Sequence, residues 1–356
     1  SGDAKAVTID NTATVEIGAD GAPFAGADYA WGIGVEGKGN EGAWDDGEGG
    51  TGADVLVEGT NDVSVYWNGQ DDARNGVRAL YVQSRGGDGY ASLGNNDSGG
   101  DGEAGKSIDV TVDGDLTVDV TAGTPPTLDG DGPSALVYAI SRGGDGGEGP
   151  SRPDSGVGAG DGGGSAVAGE GDPNWTSPPQ SLVLVTMTDG ATATASGDNV
   201  LGIVARALGG TGGSGDTSSD DDEKNSDGGD GGRGGGVQVT IENGASVTTT
   251  GANGYGVLGQ SVGGLGGAGT GGGDAGGGGD ASAIGYFGAS GTTIATGGDF
   301  AAGAVFHSVG GGGGVGGDFT GVLAGSGGTG GNGGDGGGVI LQSGSAVTTS
   351  GDHAYG

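Results

Sequence analysis

Short stretches of the chain alternate hydrophobic and polar residues with a period of two, and they recur along its length. The clearest are residues 107–123, 181–197 and 236–251, where Val, Ile, Leu or Ala alternates with Thr, Asp or Gln. Asp, Asn and Gly interrupt each stretch near its middle and bound its ends. This pattern predicts two β-strands joined by a tight turn. The same theme recurs in residues 6–21, 54–69 and 338–351.

A third apolar stretch follows the strand pairs and leads into a run of glycines. Five such stretches align on a Gly pair: residues 79–89, 136–147, 202–213, 256–267 and 303–314. The pairs begin at residues 86, 143, 209, 263 and 310, so the intervals are 57, 66, 54 and 47 residues. Each repeat is therefore predicted to contain three strands and then a glycine-rich insertion. The insertions span approximately residues 86–105, 143–179, 209–235, 263–280 and 310–337.

Three short strands cannot bury a face alone, but stacked copies can. The chain is therefore predicted to be all-β: a parallel β-solenoid, or β-helix, of about six rungs, spaced about 4.8 Å apart. The inward first-strand positions are Val55, Val57, Ile108, Val110, Val112, Val183, Val185, Met187, Val237, Val239, Ile241, Val339 and Leu341. Those of the second strand are Val63, Val65, Leu116, Val118, Val120, Ala193, Ala195, Val247, Thr249, Val347 and Thr349. Those of the third strand are Leu80, Val82, Ser84, Val137, Ala139, Ser141, Ile203, Ala205, Ala207, Val257, Gly259, Ser261, Ala304, Phe306 and Ser308.

The third strand is also apolar on the side that faces away from this core. Its outward positions include Tyr81, Tyr138, Val204, Leu258 and Val305. A strand that is apolar on both faces is usually covered on both. The segment nearest in the chain is the glycine-rich insertion, so we expect successive insertions to form a second layer over this side.

Within the insertions, residues 228–236 and 327–338 place Gly at about two of every three positions. The polyproline-II helix has three residues per turn and points its backbone polar groups outward. Gly on two edges would let such helices pack flank to flank, while the third edge carries Asp, Thr, Asn or Arg to water. The alternative is that these runs are flexible loops. Residues 148–179 and 214–227 break the pattern and are predicted to be loops or disordered.

Charge and composition exclude several classes of partner and structure for this chain. Of 356 residues, 100 are Gly, 47 are Asp or Glu and 11 are Lys or Arg, which gives a formal net charge of −36. This acidity excludes nucleic acid as a partner, because phosphates require Lys and Arg. No apolar run reaches the length of about 18 residues that a transmembrane helix needs. The absence of Cys excludes disulfides and thiolate metal sites and suits an exported chain.

Both termini suggest a piece of a longer protein. Residues 1–10 have neither the basic nor the apolar region of a signal peptide. The last repeat stops at residues 350–356, where its third strand should continue. We divide the chain into residues 1–53, with one or more degenerate first rungs, and residues 54–356, the repeat solenoid.

A repeated phrase carries a family resemblance. Residues 256–269 read GVLGQSVGGLGGAG, and residues 244–256 and 344–356 read GASVTTTGANGYG and GSAVTTSGDHAYG. The chain resembles the glycine-rich passenger domains of bacterial autotransporters, which use type V secretion. The resemblance covers residues 54–356 well and 1–53 weakly. It implies a right-handed β-helix that is extracellular and displayed at the bacterial outer membrane, with an adhesin-like role and no catalytic residues.

The sequence offers only weak candidates for a metal site. Residues 143–151 and 212–220 miss the register of the calcium-binding nonapeptide repeat, and no tandem copies exist. The acidic run at residues 220–223 offers oxygen ligands for a cation, but a solvated charge run in a loop is the interpretation we prefer. No cofactor is predicted, and calcium stays open as the one candidate.

No catalytic site is predicted, so the chain is not expected to be an enzyme. His307 occupies an outward slot of a third strand and His353 lies in a turn, and neither has a nucleophile in a recognisable context. The carboxylates fall in turns and glycine runs rather than clustering on strands, as a glycan-cleaving β-helix would require.

Two arginines recur at matching positions before the glycine pairs. Arg85 and Arg142 both stand in the phrase SRGGDG. We predict that they pair with Asp88 and Asp145 three residues later, rather than binding a sugar.

The sequence therefore favours a non-enzymatic structural or adhesive protein whose solenoid forms a rigid rod, with filament formation possible through its open ends. Its partners would be a cell-surface or glycan receptor, or sister molecules associating laterally or end to end. Trp31, Trp44, Trp67 and Trp175 are expected outside the regular ladders. Three alternatives stay open: a phage tail-fibre adhesin, a glycan-active enzyme, and an ice-binding protein that uses the threonines at 248–250 and 348–349.

Overall fold

The structure is a computed structural model and describes most of the chain. The described residues are 5–18, 30–42, 49–59, 62–67, 76–91, 99–120, 132–149, 159, 182–215, 226–318 and 327–356. Throughout these residues the regular secondary structure is β-strand. All statements below concern this part of the chain.

Strands recur in groups of three, and each group is one rung. In chain order the strands are β1 (Val7–Asp10), β2 (Val15–Ile17), β3 (Ala30–Lys38), β4 (Val55–Glu58), β5 (Val63–Trp67), β6 (Val77–Arg85), β7 (Ile108–Val112), β8 (Leu116–Val120), β9 (Ser134–Arg142), β10 (Leu182–Met187), β11 (Thr192–Ser196), β12 (Val200–Leu208), β13 (Gly236–Ile241), β14 (Ser246–Thr250), β15 (Tyr255–Val262), β16 (Ile284–Gly288), β17 (Thr293–Gly297), β18 (Ala302–Val309), β19 (Val339–Ser343) and β20 (Ala346–Ser350). Six rungs have three strands, and the seventh has two.

The rungs stack in register as three parallel sheets. The first sheet has the order β1-β4-β7-β10-β13-β16-β19, the second β2-β5-β8-β11-β14-β17-β20, and the third β18-β15-β12-β9-β6-β3. Leu80 lies opposite Val137, and Ser84 opposite Ser141, on adjacent parallel strands. The predicted parallel β-solenoid of about six rungs is therefore confirmed.

The core is a set of ladders of inward side chains. The inward positions predicted for the second to fifth rungs are buried, except Val120, which is half-buried. Those of the seventh rung are not: Val339, Leu341 and Val347 are 44%, 59% and 38% exposed. These side chains have a rung on one side only, because no described rung lies beyond β19 and β20.

The sequence pattern does not predict two strands of the sixth rung. The inward ladders predicted for the first and second strands pass directly from the fifth rung to the seventh, yet β16 and β17 lie between them. Ile284, Tyr286 and Ile294 supply their buried positions. The missed strand β16 reads IGYFG, where two glycines and a tyrosine replace the alternating β-branched residues of its neighbours.

The outward side of the third sheet forms a second apolar cluster, but its covering differs from the prediction. The Arg78 guanidinium, itself fully buried, lies 4.8 Å from the Tyr81 ring centroid and 4.3 Å from that of Tyr138. It also donates hydrogen bonds to the Gly132 and Pro133 carbonyls, at 2.9 and 3.2 Å. The described outgoing segments instead continue the bonding of the third sheet, since Gly209 and Gly263 donate their amides to the Val262 and Val309 carbonyls at 2.9 Å. The Ser282 amide of a return segment donates to the inward Ser261 hydroxyl, so this segment lies on the core side of the strand and not over the second cluster.

Candidate functional site

The glycine-rich insertions extend from the solenoid as pairs of extended segments, which we name arms. The outgoing arm follows the third strand of a rung, and the return arm leads to the first strand of the next. Outgoing arms bond to one another from rung to rung at every third residue. Gly263, Gly266 and Gly269 donate their amides to the next rung at 2.9, 2.9 and 3.0 Å.

A second set of amides joins outgoing arms to return arms. Gly264 and Gly267 donate to the carbonyls of Gly232 and Gly229, each at 2.8 Å. The amides of two of every three residues thus donate to a neighbouring arm, and residues such as Leu265, which is 57% exposed, occupy the third edge. The bonded glycines do not have positive φ angles. Negative φ with a period of three is the left-handed polyproline-II helix. The predicted polyproline-II insertions are confirmed, and together they form a glycine bundle.

Steric contact explains why two edges of each arm are glycine. A Cβ added at Gly311 would lie 1.8 Å from the Gly264 carbonyl oxygen. A Cβ at the adjacent Gly312 would meet only the Leu265 side chain, at 3.5 Å. At Gly311 the bonded edge therefore has no room for a side chain, whereas the outward edge at Gly312 has.

A serine two residues before the Gly pair clamps the base of an arm pair, although the fourth rung has Ala207 at this position. Ser84 Oγ accepts a hydrogen bond from the Lys106 amide at 2.8 Å and donates to the Ala53 carbonyl at 2.7 Å. Ser308 does the same between Gly337 and Ser282, at 2.7 and 2.8 Å. The period of two predicts these serines only as core positions, although their recurrence two residues before the Gly pair is a visible signal of a further role.

Aspartates on the outward edge also join neighbouring rungs. Asp274 Oδ1 accepts hydrogen bonds from the Thr329 amide at 2.8 Å and from its hydroxyl at 3.0 Å. Asp280 Oδ1 accepts the Asp335 amide at 2.8 Å. In each case the backbone hydrogen bond is the main cause that lowers the carboxyl pKa below its usual value.

The predicted arginine pairs are confirmed. Arg85 Nη2 lies 2.9 Å from Asp88 Oδ2, and Arg142 Nη2 lies 3.4 Å from Asp145 Oδ2. Asp88 and Asp145 also accept amides one rung on, so these ions belong to the same system of contacts between rungs.

The outward face of the second sheet is acidic in the first rungs and uncharged in the later ones. In the first three rungs it carries carboxylates, at Glu16, Asp62, Asp115 and Asp119. In the next four rungs it presents twelve small uncharged residues, which we name the hydroxyl face. They are Thr192, Thr194, Ser196, Ser246, Thr248, Thr250, Thr293, Ala295, Gly297, Ala346, Thr348 and Ser350.

The hydroxyl face is a two-dimensional array. Thr194, Thr248, Ala295 and Thr348 occupy one row across the rungs, in strict register. Rows along a sheet repeat at about 4.8 Å, and alternate residues on a strand at about 6.8 Å. The threonine row expected at 248–250 is corrected in one respect: Thr249 points into the core and is buried.

A groove of about 700 Å³ lies beside the turns that join the first sheet to the second in the fourth to seventh rungs. Its lining includes Asp189, Thr240, Glu242, Phe287 and Gln342. The groove thus combines one aromatic ring with carboxylate, amide and hydroxyl groups. The sequence does not predict this groove, because its lining residues come from four different rungs.

The remaining predicted candidates are not gathered into one site. His307 is exposed on β18, and His353 lies in a turn with φ 58°, its ring stacked on Phe300 at 5.1 Å. Trp67 is buried within a ladder, opposite Val120, so its expected place outside the ladders is wrong. Trp31 stacks on Tyr81 at 4.4 Å. Trp44, Trp175 and residues 220–223 lie outside the described residues.

Two kinds of feature are absent from the described residues. They contain no group of three or more His, Asp or Glu placed to hold a metal ion. They also contain no helix of the length and apolarity needed to cross a membrane.

Comparisons with known proteins leave the family open. No protein-family model and no curated protein matches the chain. A solved structure that is similar in part is a springtail antifreeze protein from Granisotoma rainieri, a bundle of nine polyproline type II helices. The two sequences are 20% identical, and the match covers 69% of this chain and 92% of that one. The TM-score is 0.13, which is too low to indicate a shared fold.

Proposed function

We propose that the chain is the rod of a non-enzymatic, extracellular structural or adhesive protein of the autotransporter passenger type, displayed at a bacterial outer membrane. The observation that carries the proposal is the hydrogen bonding of the arms, in which the amides of two of every three residues donate to a neighbouring arm. Arms held in this way are rigid, so they and the sheets keep outward side chains at fixed spacings. Such a scaffold acts through contact with a surface.

Charge supports the extracellular setting. A net charge of −36 repels anionic lipid surfaces and nucleic acid, and it needs salt or divalent cations to screen it. The partners proposed are a cell-surface or glycan receptor, or sister molecules that associate laterally or end to end.

The experiment is an attachment assay with the whole chain coupled to beads. We expect the beads to adhere to host cells, to glycan-coated surfaces or to one another, well above beads coated with an acidic protein of similar charge. No attachment in any of these settings would contradict the proposal. Release of reducing ends or unsaturated sugars from a polysaccharide panel would contradict its non-enzymatic part, and recovery of the chain from virions would favour a phage fibre.

A second candidate function, ice binding, is favoured by the hydroxyl face. Twelve small uncharged residues in register are unexpected on a chain of charge −36, because charge is what keeps such a surface soluble. Hydroxyl and methyl groups in regular rows suit ordered water better than an irregular partner.

Thermal hysteresis of the purified chain tests this candidate. Replacing Thr194 and Thr248 together with Lys should abolish the hysteresis, whereas Thr186→Lys on the first sheet should preserve it. Absence of hysteresis and of any inhibition of ice recrystallisation in the unaltered chain would exclude ice binding.

A further inference from the structure

The outward side of the outgoing arms carries two rows of residues that run along the rod. At the end of the third strands, one outward row reads in strict register Lys38, Arg85, Arg142, Leu208, Val262 and Val309. The bonds between arms align a second row three residues further along: Glu41, Asp88, Asp145, Thr211, Leu265 and Gly312. We name these two rows, in the first six rungs, the outgoing face.

In the first three rungs the two rows are joined by ion pairs. The nitrogen–oxygen distances are 3.1 Å for Lys38–Glu41, 2.9 Å for Arg85–Asp88 and 3.4 Å for Arg142–Asp145. At least a quarter of each of these side chains is exposed, so the charges are open to a partner as well as to each other. Positive charge thus lies in the first row and negative charge in the second, at the same rungs.

In the next three rungs the outgoing face is uncharged and largely apolar. Leu265 and Val309 are 57% and 52% exposed, and Val315, one period further along the same edge, is 74% exposed. No charged side chain occurs in the segments 208–215, 262–269 and 309–315. An exposed apolar surface of this kind marks a contact with another molecule.

The outward edges of the return arms are acidic instead. Their aspartates accept amides of the next rung, and one of them also pairs with Arg233; they are Asp227, Asp230, Asp274 and Asp280. Two copies of a chain with net charge −36 repel each other, and the repulsion is smallest where carboxylates are absent or paired with a cation. A second copy is therefore accepted on the outgoing face rather than on the return arms.

We propose that the outgoing face binds a second copy of the chain, with the two rods parallel and related by a two-fold axis that is parallel to them and lies between the two rows. This axis places the first row of one copy against the second row of the other at the same rung. Arg85 then faces the partner's Asp88, so opposite charges meet in the charged rungs. In the apolar rungs Val262 faces the partner's Leu265. The face is thus complementary to itself, as a two-fold contact requires.

The size of the outgoing face fits a stable dimer. Six rungs at about 4.8 Å, and about eight residues of strand end and arm at about 3.1 Å, give an area of roughly 700 Å² on each copy. Stable interfaces bury about 800 Å² per partner. Both copies have the same rung spacing, so a contact made at one rung recurs at the others. The dimer rests on the proposed function, because sister molecules are among its partners, and the outgoing face is their contact surface.

The test is sedimentation equilibrium of the whole chain at near-physiological salt, which screens the net charge. We expect a monomer–dimer equilibrium. Leu265→Asp combined with Val309→Asp should weaken dimerisation at least about 100-fold, because each change removes an apolar contact and buries an unpaired charge. The fold should accept the change, since both side chains are exposed and Asp88 and Asp145 occupy the row of Leu265.

A matched control adds the same charge on other surfaces. Asn332→Asp lies on the outward edge of a return arm and Thr348→Asp on the hydroxyl face, and both residues are exposed. A chain with these two changes should dimerise as the unaltered chain does.

A charge reversal tests the two-fold pairing itself. Lys38→Glu places a glutamate against the partner's Glu41 and should weaken the dimer about 3-fold or more. Adding Glu41→Lys restores opposite charges within and between the copies, so this double variant should dimerise as the unaltered chain does. Lys5→Glu changes the net charge equally outside the outgoing face and should leave the dimer unchanged.

Several results would overturn the dimer. These are a monomer at every concentration and salt, equal dimerisation of the Leu265→Asp, Val309→Asp chain and its control, or failure of Glu41→Lys to restore the Lys38→Glu variant. Thermal unfolding checks that the rungs of each variant remain stacked, and the Lys38 series supplies a readout if the double aspartate variant is unstable. A monomeric chain whose beads still attach would overturn the dimer alone. Dimers in solution without bead attachment would overturn the adhesive function alone, so the two failures are distinguishable.

Discussion

At the scale of single residues, several aspartates have a structural role that the composition does not reveal. The sequence indicates acidic residues in turns and glycine runs, where they look like solvated charges. In the structure, carboxylates such as Asp274 and Asp280 accept backbone amides one rung away. These partners lie 55 residues apart in the chain, so the bonds depend on a register between rungs that composition alone does not supply.

A pH titration tests this role. Because the Thr329 amide and hydroxyl lower the native pKa of Asp274, its carboxylate stabilises the fold at pH values above the unfolded pKa of about 3.9. That contribution is lost as the pH falls through the lower native pKa. Asp274→Asn, which keeps an acceptor but no charge, should therefore lose less stability between pH 5 and pH 2 than the unaltered chain, as measured by urea unfolding.

Asp318 supplies the control for this titration. It is exposed, and its carboxylate makes no hydrogen bond between rungs within the described residues. Asp318→Asn should follow the unaltered chain across the pH range. If Asp274→Asn follows it as well, the aspartate contacts do not contribute to stability.

At the scale of elements, the sequence predicted the strands best where β-branched residues alternate strictly. It missed β16 and β17, whose glycines and aromatic residues interrupt the alternation, although the 47-residue interval between the Gly pairs at 263 and 310 leaves room for a full rung. It predicted polyproline-II arms from the period of three. It did not predict the serine clamps or the groove, because both arise from contacts between rungs.

Two adjacent glycines offer an internal comparison within one arm. Gly311→Ala places a Cβ 1.8 Å from the Gly264 carbonyl oxygen and should destabilise the fold by about 1–3 kcal/mol, as overpacking does. Gly312→Ala points to the outward edge and should be neutral or stabilise by up to about 1 kcal/mol, because alanine reduces the entropy of the unfolded chain. Equal effects of the two substitutions on thermal unfolding would contradict the assignment of bonded and outward edges.

At the scale of the whole molecule, stability comes from stacking, since each rung contacts only its neighbours. The sequence was sufficient for the fold class because repetition itself specifies parallel in-register ladders. It was insufficient for the side that faces away from the core, where Arg78 packs on Tyr81 and Tyr138. Recognition of that contact requires the path of the chain around Gly132 and Pro133.

Salt should stabilise the stack as a whole. With 47 acidic and 11 basic residues, the folded chain suffers repulsion that screening relieves. We expect the unfolding temperature to rise when sodium chloride is increased from low to near-physiological and higher concentrations. A fall in unfolding temperature over that range would mean that attractive ion pairs such as Arg85–Asp88 outweigh the repulsion.

The most direct test of the account is residue-resolved hydrogen exchange of one outgoing arm, residues 263–269. The account predicts a period of three: the amides of Gly263, Gly264, Gly266, Gly267 and Gly269 are protected, whereas those of Leu265 and Ala268 exchange rapidly. Uniform exchange at the rate of an unfolded peptide would contradict it, because the glycine runs would then be loops and not an ordered bundle.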